Sequence, residues 1–472
     1  MENLNLIYPE IFLSLLTIGL LMLGVFKKNS FNLIIRFSSI GLLLLIPVVY
    51  INNNISNELF SQNYLVDSFS IFMKILILGS SAIALFFTNE YIKNSSINQF
   101  EYPILVLTSI LGMFVMVSSN NLMGLYLGIE LQSLSLYVLA SLNRDSIKST
   151  EAGVKYFVLG ALSSGLLLYG CSLIYGFTGS TNYYIIAKSF DANNLALLFG
   201  LVFILVGLAF KISAVPFHMW TPDVYEGSPT SVTAFFALAP KVAGMAAIIR
   251  ILYVPFGNIV IEWQTILIFI SVASMILGAV AAIGQSNIKR LMAYSGISHM
   301  GYALAGLVTG TKDGVASTIL YVLIYVVMSI GSFVCILVMK RKNIYLENIR
   351  DLSGLSKNHP LVALSFVVIL FSLAGIPPLA GFFAKFYIFM AVVKVEFYTL
   401  AVIGLVTSVI SAFYYLRIIK IIYFDPSQEK FDPISSNGIK FSLAFSTLII
   451  LFYFLNPSIF TFFTNIATAA IK

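Results

Sequence analysis

The sequence predicts an all-α polytopic membrane protein with about 14 transmembrane helices. Of its 472 residues 59% are hydrophobic and only 10% are charged, whereas a soluble domain carries about 25% charged residues. The mean hydropathy is +0.95, and because one helical span needs ~20 apolar residues, the apolar total fills about fourteen. This composition excludes a water-soluble protein, a disordered chain and a nucleic-acid binder, so the net charge of +7 bears on membrane orientation and not on DNA.

Apolar segments follow one another along the whole chain, separated by short loops that leave no room for an extramembrane domain holding a soluble cofactor. The predicted spans are 8–26, 31–51, 68–89, 102–119, 121–142, 150–178, 192–222, 229–253, 260–283, 288–309, 314–339, 360–393, 398–422 and 439–464. The two cysteines, Cys171 and Cys335, lie in apolar runs. They offer neither a disulfide framework nor an iron–sulfur ligand set.

The lysines and arginines predict the orientation, because cytoplasmic loops carry the excess of positive charge. If the N-terminus is outside, the outside positions hold Lys188, Arg250, Lys312, Lys394 and Lys472. Five more fall within spans, namely Lys74, Lys155, Lys211, Lys241 and Lys385. The remaining 17 of the 27 basic residues are then inside. This 17-to-5 bias favours an even number of spans with both ends outside.

Glu130 lies in the middle of the fifth predicted span, whereas the other acidic residues map to loops or span ends. A charge at membrane depth costs at least ~2.5–3.5 kcal/mol on the insertion scale, so it normally faces a polar interior and is functional. Helical spacing puts Tyr126, Ser133 and Tyr137 on the same face. The alternative is a structural hydrogen bond or ion pair that locks two helices together.

Lys211, Lys241 and Lys385 have apolar sequence on both sides, too deep in their spans for easy snorkelling. Each lies close to a mid-span proline, and these prolines are Pro216, Pro240, Pro377 and Pro378. A proline inside a helix frees the carbonyl four residues earlier, which here means Ile212, Phe236, Leu373 and Ala374. Buried lysines beside broken helices are typical of ion translocation. The alternative is that each lysine only caps a carbonyl or pairs with a neighbour.

The remaining titratable groups in spans give weaker signals. Lys74 and Lys155 each lie about two turns into a span, from which a lysine can snorkel to the interface. His218 follows a helix break and His299 lies mid-span, while His359 falls in a basic inside loop. Imidazole accepts and donates a proton near neutral pH, but a lone membrane histidine is equally compatible with a helix-to-helix hydrogen bond.

The two proline-broken spans, 192–222 and 360–393, are the seventh and the twelfth. Five-helix repeats with a broken fourth helix would give this spacing, and an odd helix number makes successive repeats inverted, as in many transporters. We therefore predict an N-terminal three-helix segment (1–101), a first five-helix repeat (102–253), a second five-helix repeat (260–422), and a C-terminal loop with the last helix (423–472). Two half-channels would meet near the midplane.

Three stretches resemble one known family. They are FKISAVPFHMWTPDVYEGSPTSVTAFFALAPK, AAIGQSNIKRLMAYSGISHMGYALAG and FSLAGIPPLAGFFAKFYIF. They closely resemble the subunit N group of NADH-quinone oxidoreductase (respiratory complex I), to which mitochondrial subunit 2 and its plastid counterpart belong. PDVYEGSPT separates this branch from the related antiporter-like subunits. The resemblance covers essentially the whole chain and implies fourteen helices, inverted repeats and a central hydrophilic axis.

The resemblance also implies roles for particular residues. By motif position Glu130 and Lys211 match the family's ion pair, Lys241 its central lysine and Lys385 its terminal lysine. Lys155, His218 and His299 fall on supporting relay positions.

The leading functional hypothesis is a proton-translocating subunit that couples electron transfer from NADH to quinone, carried out by other subunits, to proton pumping. Burial favours a neutral lysine and a nearby carboxylate favours a charged one, so separating Glu130 from Lys211 would drive a proton from Lys211 toward Lys241. One alternative is a cation/proton antiporter subunit of the multisubunit sodium–proton type. Another is a structural membrane spacer with vestigial charges.

This hypothesis sets the remaining expectations. We expect no cofactor and no metal on this chain, since it has no flavin, NAD or cluster motif; NADH, FMN, iron–sulfur clusters and quinone would be bound by partner subunits. The expected partners are other membrane subunits of complex I, especially neighbouring antiporter-like ones, and the lipid bilayer. We expect a multi-pass protein of a bacterial inner membrane rather than an organellar one.

Overall fold

The computed structural model describes residues 4–51, 57–93, 97–427, 429–434 and 436–471, and these are overwhelmingly α-helical. The prediction of an all-α polytopic membrane protein is confirmed. The only sheets in these ranges are two short antiparallel hairpins, neither of which was predicted.

The N-terminal segment packs three long helices side by side and adds one hairpin. Its elements are α1 (Tyr8–Phe26), α2 (Phe31–Ile51), β1 (Asn57–Leu59), β2 (Tyr64–Val66) and α3 (Ser68–Lys93). Helix α3 continues inward, where it meets helices from both later parts of the chain. Its buried face includes Lys74, so this segment contributes charge as well as apolar area to the interior.

The middle of the chain contains the first broken helix. The elements are α4 (Glu101–Ser118), α5 (Leu122–Ala140), α6 (Ile147–Thr178), α7 (Tyr183–Ser189), α8 (Leu195–Ile212), α9 (Trp220–Gly227), α10 (Thr230–Phe236) and α11 (Ala239–Tyr253). The predicted span 192–222 is interrupted after α8, where Ser213 adopts φ +64 and the Val215–Pro216 peptide is cis. The span 229–253 is divided between α10 and α11 just before Pro240.

The second broken helix follows later in the chain. The elements are α12 (Val260–Ile283), α13 (Ile288–Val308), α14 (Lys312–Val338), β3 (Lys340–Arg341), β4 (Ile344–Tyr345), α15 (Leu355–Asn358), α16 (Pro360–Ala374), α17 (Ala380–Lys394) and α18 (Tyr398–Phe424). The predicted span 360–393 is interrupted between α16 and α17, at Gly375 with φ +88 and at the cis Pro377–Pro378 peptide.

The end of the chain corrects one predicted span. Instead of one helix over 439–464, the structure has α19 (Asn437–Phe452) and α20 (Pro457–Ala469). Pro457 lacks the N–H group that would continue the hydrogen-bond ladder of α19, so the chain turns at Asn456 and a new helix begins.

Twelve helices in the described ranges are long and apolar enough to cross a membrane. The two remaining predicted spans, 288–309 and 360–393, fail that criterion for different reasons. Helix α13 carries many polar side chains, and α16–α17 is interrupted, leaving α16 as a shorter apolar helix. The predicted total of fourteen spans therefore requires that α13 and the interrupted α16–α17 pair also cross the membrane.

Matched features at corresponding places support the two predicted repeats, whose boundaries stay a prediction. Asn121 and Asn182 form an isolated antiparallel bridge, and so do Asn287 and Asn348, with the same chain separation in both pairs. Asn121 caps α5 and Asn287 caps α13. In each predicted repeat, the second helix (α5 or α13) thus begins at a capping asparagine, and that asparagine pairs with another asparagine at the corresponding later position in the repeat.

The interior is built around α10–α11 and α14, which are almost entirely enclosed by other helices. Helix α13 is also buried along nearly its whole length despite its polar residues. Because polar groups buried in a bilayer need partners within the protein, these helices are where functional side chains are expected.

Candidate functional site

Lys211 is buried at the C-terminal end of α8 and binds a serine of α5. Its Nζ donates to Ser133 Oγ at 2.6 Å, and the ammonium group lies 5.9 Å from the ring centroid of Tyr137. Ser133 and Tyr137 share the helix face of Glu130, as the helical spacing predicts. The two charges interact electrostatically, but in the described ranges no direct ion pair joins Glu130 to Lys211. Glu130 Oε1 is buried without a hydrogen-bond partner.

Lys241 binds a backbone carbonyl that the first helix break leaves without a partner inside the helix. Its Nζ donates to Ile212 O at 2.7 Å and to Ser213 Oγ at 2.5 Å, and its side chain is almost fully buried. Ile212 is the residue four positions before Pro216, as the sequence predicts. Since Ile212 directly follows Lys211, the break brings the two lysines to neighbouring positions in the interior.

His299 connects three helices in the second half of the chain. Its Nδ1 lies 2.6 Å from the hydroxyl oxygen of Tyr321 on α14, and its Nε2 lies 3.3 Å from that of Tyr415 on α18. The Tyr415 hydroxyl is in turn 2.5 Å from Ser295 Oγ. The hydroxyl groups can donate or accept, so the imidazole can exist in either neutral tautomer.

Lys385 repeats the arrangement of Lys241 at the second helix break. Its Nζ donates to Leu373 O at 3.2 Å, Ala374 O at 3.0 Å and Ser408 Oγ at 2.8 Å. Both carbonyls lie four residues before a proline, as predicted. A Cβ on Gly375 would lie 3.1 Å from Lys385 Cδ, so the lysine side chain would have to shift by a few tenths of an ångström. The positive φ of Gly375 also favours glycine at this position.

Aromatic side chains surround the lysines of both breaks. The Lys241 ammonium lies 5.9 Å from the Trp220 ring, and Trp220 contacts Tyr225. On α14, the ring of Tyr325 packs 5.5 Å from that of His299. On the far side, Tyr302 lies 6.2 Å from His299 and 5.0 Å from the Lys385 ammonium. We call Lys211, Lys241, His299 and Lys385 the central row.

Two predicted relay residues lie outside the central row. Lys155 is 42% exposed and forms ion pairs with Glu151 at 2.7 Å and Asp223 at 2.8 Å. His218 is half-buried beyond the first break, and its Nδ1 has no hydrogen-bond partner. In the described ranges neither side chain forms a hydrogen bond to a central-row lysine.

The interpretation of Lys74 as a snorkelling side chain is wrong. Lys74 is only 2% exposed and its Nζ donates to Glu10 Oε1 at 2.6 Å and to Tyr64 Oη at 3.1 Å. Glu10, at the start of α1, is itself buried. The sequence places the two residues far apart and near span ends, so only the packing of α1 against α3 and the first hairpin reveals the pair.

Two further cations, which the sequence-based charge count treats as loop residues, are buried in the structure. Arg250 is buried and binds Asp67 through two hydrogen bonds, of 2.6 and 2.9 Å. Lys289 is buried and pairs with Glu347 at 2.5 Å. Arg250 lies inside the predicted span 229–253, a signal that it was not a loop residue. Removing one inside and one outside cation leaves the predicted charge asymmetry intact.

The described ranges contain no group of three or more His, Cys, Asp and Glu side chains placed to hold a metal ion. The thiols of Cys171 and Cys335 are free and buried. The buried titratable side chains of the described ranges include five lysines, Arg250, His299 and the carboxylates of Glu10 and Asp67. Of these, the lysines and the imidazole can take up and release protons.

Comparison with known proteins identifies the family. Residues 119–411 match the family described as "NADH:quinone oxidoreductase/Mrp antiporter, TM", which spans two functional branches. A NADH-quinone oxidoreductase subunit N from Pelagibacter ubique is 60% identical over 460 residues, covering 97% of this chain and 98% of that protein. The chain belongs to the subunit N family.

Solved structures agree with membership of the subunit N family. A chain of respiratory complex I from Thermus thermophilus with bound aureothin has a TM-score of 0.83 at 31% identity, covering 96% of this chain and 98% of that one. A chain of the Mrp complex from Dietzia sp. has a TM-score of 0.87 at 23% identity, covering 99% and 98%. The second likeness shows a shared fold alone, so the antiporter alternative is not favoured.

Proposed function

We propose that this chain is the proton-translocating membrane subunit of an NADH-quinone oxidoreductase and that protons pass along the central row. One observation carries the proposal. Of the six lysines and arginines that are buried in the described part of the chain, Lys74, Arg250 and Lys289 are paired with carboxylates at 2.5–2.6 Å. Lys211, Lys241 and Lys385 instead bind only neutral oxygens, and in the described ranges no carboxylate lies within ion-pair distance of them.

This difference separates static charges from exchangeable ones. A buried cation beside a carboxylate is held in its charged form, whereas desolvation without a counter-charge favours the neutral amine. Each central-row lysine also binds one serine hydroxyl: Lys211 binds Ser133, Lys241 binds Ser213 and Lys385 binds Ser408. A hydroxyl accepts from an ammonium and donates to an amine, so these contacts accommodate both states. Capping a carbonyl and carrying a proton are therefore compatible roles.

Glu130 is proposed as the switch that sets the state of Lys211. Its charge acts on Lys211 without a direct contact, while Oε1 remains unpartnered in the interior. Movement of α5 toward α8 would pair the two groups and stabilise the ammonium, and movement apart would release its proton toward Lys241. An unpartnered buried carboxylate oxygen leaves Glu130 free to make such a contact.

His299 is proposed to transfer protons between the two breaks, and Lys155 and His218 to act at the entrance. The imidazole packs against the rings of Tyr325 and Tyr302, and the Tyr302 ring also lies 5.0 Å from the Lys385 ammonium. Lys155 and Asp223 line a small open pocket together with Arg290, a place where protons could be taken up from water. His218 lies beyond the break that holds Lys241.

Electron transfer is assigned to partner subunits, which would bind NADH, FMN, iron–sulfur clusters and quinone. The family relative is named for the oxidoreductase, and the buried polar groups of this chain suit proton exchange. We further propose a bacterial inner membrane with both termini outside. The charge bias, which is 16 to 4 once the buried Lys289 and Arg250 are set aside, and the bacterial source of the 60% identical relative support that placement.

Two double variants test the proposal, each removing a buried lysine together with a nearby glutamate. Glu130→Gln with Lys211→Met removes the proposed switch, whereas Glu10→Gln with Lys74→Met removes an ion pair outside the central row. Proton uptake per electron pair is measured in vesicles containing the assembled complex. We expect the first variant to assemble and lose pumping and the second to pump normally. Wild-type pumping by the first would overturn the switch, and sodium-dependent transport would favour the antiporter alternative.

A further inference from the structure

A polar cavity of about 720 Å³ opens at the predicted inside end of the N-terminal segment. Residues from the end of α1, the loop to α2, the start of α4 and the loop after α5 line it. This cavity lies outside the central row, and none of its lining residues takes part in the proposed proton transfer.

The cavity is electropositive. Lys27, Lys28 and Arg144 line it against a single acid, Glu101. In the described ranges none of these four side chains forms an ion pair within 4.0 Å, so the cations are not neutralised by the protein. Helices α2 and α4 both begin at the cavity, and the partial positive charge of their N-termini adds to the field.

Apolar surface adjoins this charged cavity directly. Val25 lines the cavity and is 63% exposed, and the neighbouring Phe26 is 84% exposed. Most of the apolar window of α1 is likewise not covered by the rest of the chain. A ligand that fits must therefore carry a negative group for the cations and a hydrocarbon portion for the side of α1.

We propose that this cavity binds the headgroup of an anionic phospholipid, whose acyl chains lie along α1. Phosphate oxygens accept hydrogen bonds from lysine, arginine and helix N-termini, and basic pockets between transmembrane helices bind acidic headgroups. Free phosphate shares the headgroup chemistry but would make no use of the apolar edge. The site is independent of proton transfer; its assignment to the inner leaflet rests on the proposed orientation.

A photoactivatable phosphatidylglycerol in nanodiscs containing the assembled complex tests the site, with crosslinked peptides identified by mass spectrometry. We expect crosslinks at the end of α1 and the start of α4, and none with a matching phosphatidylcholine probe. The triple variant Lys27→Gln, Lys28→Gln, Arg144→Gln should weaken binding about fivefold per charge removed. The triple variant Lys357→Gln, Lys420→Gln, Lys440→Gln removes as many exposed cations from the predicted inside face and should leave crosslinking unchanged.

A second variant, which should bind the lipid probe more strongly, tests the proposal even if the triple variant does not assemble. Glu101→Gln removes the one acid among the described residues that line the cavity and should increase crosslinking. Unchanged crosslinking in both the Lys27/Lys28/Arg144 and the Glu101 variants would overturn the proposal. So would full displacement of the probe by inorganic phosphate, which would indicate a phosphate site. Crosslinks that appear only when partner subunits are removed would show that a protein covers the cavity, and would also overturn it.

Discussion

At the scale of single residues, the partner of a buried cation decides its role. Lys74 and Lys211 have equally long side chains and are both buried, yet one binds a carboxylate and the other a hydroxyl group. Removing one member of a buried ion pair leaves an uncompensated charge, which is costly. Removing Lys241 or Lys385, which bind only neutral oxygens, strands no carboxylate. Stability measurements therefore distinguish the two kinds of lysine.

Lys74→Met is expected to destabilise the protein by ~3–5 kcal/mol, because it strands the Glu10 carboxylate in the interior. The double variant with Glu10→Gln should recover most of that loss, since both charges are then absent. The difference is measured by heating the purified complex and monitoring the temperature at which this subunit is lost. Equal stability of the single variant and the wild type would show that the pair contributes nothing.

Sequence reasoning succeeded for contacts that the backbone fixes locally and failed for contacts between distant helices. A proline position determines which carbonyl is freed, so the acceptors Ile212, Leu373 and Ala374 were predictable. Helical spacing likewise placed Ser133 beside Glu130. It does not set the distance from α5 to α8, so the missing direct contact between Glu130 and Lys211 was not predictable. The Glu10–Lys74 and Asp67–Arg250 pairs depend on packing between separate segments and were missed for the same reason.

At the scale of elements, the helix breaks create the carbonyl acceptors that Lys241 and Lys385 bind. The break after α8 exposes the Ile212 carbonyl and turns the Ser213 hydroxyl toward Lys241. The break after α16 does the same for Lys385 with the carbonyls of Leu373 and Ala374. A continuous helix would use these carbonyls internally, and Lys385 would keep only the Ser408 hydroxyl as an acceptor.

Two substitutions of Ser213 separate its hydroxyl from its backbone. Ser213 has φ +64, a conformation that costs a residue with a Cβ about 1–2 kcal/mol and glycine almost nothing. Ser213→Ala and Ser213→Gly both remove the hydroxyl, so we expect the same reduction of pumping in each. Only Ser213→Gly relieves the backbone, and it should be the more stable of the two by roughly 1 kcal/mol. Thermal unfolding and proton uptake are measured on the same preparations, and normal pumping in either variant would exclude a role for the hydroxyl.

At the scale of the whole molecule, the proposed orientation rests on the distribution of lysine and arginine between loops. It determines which side of the membrane each part of the site faces. Lys155 and Asp223 lie at the predicted inside face, whereas the Glu10–Lys74 and Asp67–Arg250 pairs lie toward the predicted outside face. The predicted repeats would place the two helix breaks at similar depth. Proton entry from the inside therefore depends on the orientation being correct.

Single cysteines test the orientation, because Cys171 and Cys335 are buried and should not react. Lys357→Cys and Lys188→Cys place thiols at exposed positions on the predicted inside and outside faces. In right-side-out vesicles a membrane-impermeant maleimide should label residue 188 and spare residue 357, and inverted vesicles should give the reverse. Labelling of 357 from outside would invert the proposed topology.

Lys241 offers the most direct test of the central claim that a proton crosses the interior through the central row. Lys241→Met keeps the side-chain length without the charge, so the complex should assemble without a large cavity. Pumping coupled to quinone reduction should fall by at least about tenfold, since a positioned proton-transfer group contributes ~10²–10⁴-fold. Proton uptake per electron pair in reconstituted vesicles is the measurement, with the Glu10→Gln, Lys74→Met protein as control. Wild-type rate and ratio in the Lys241 variant would place the proton path elsewhere.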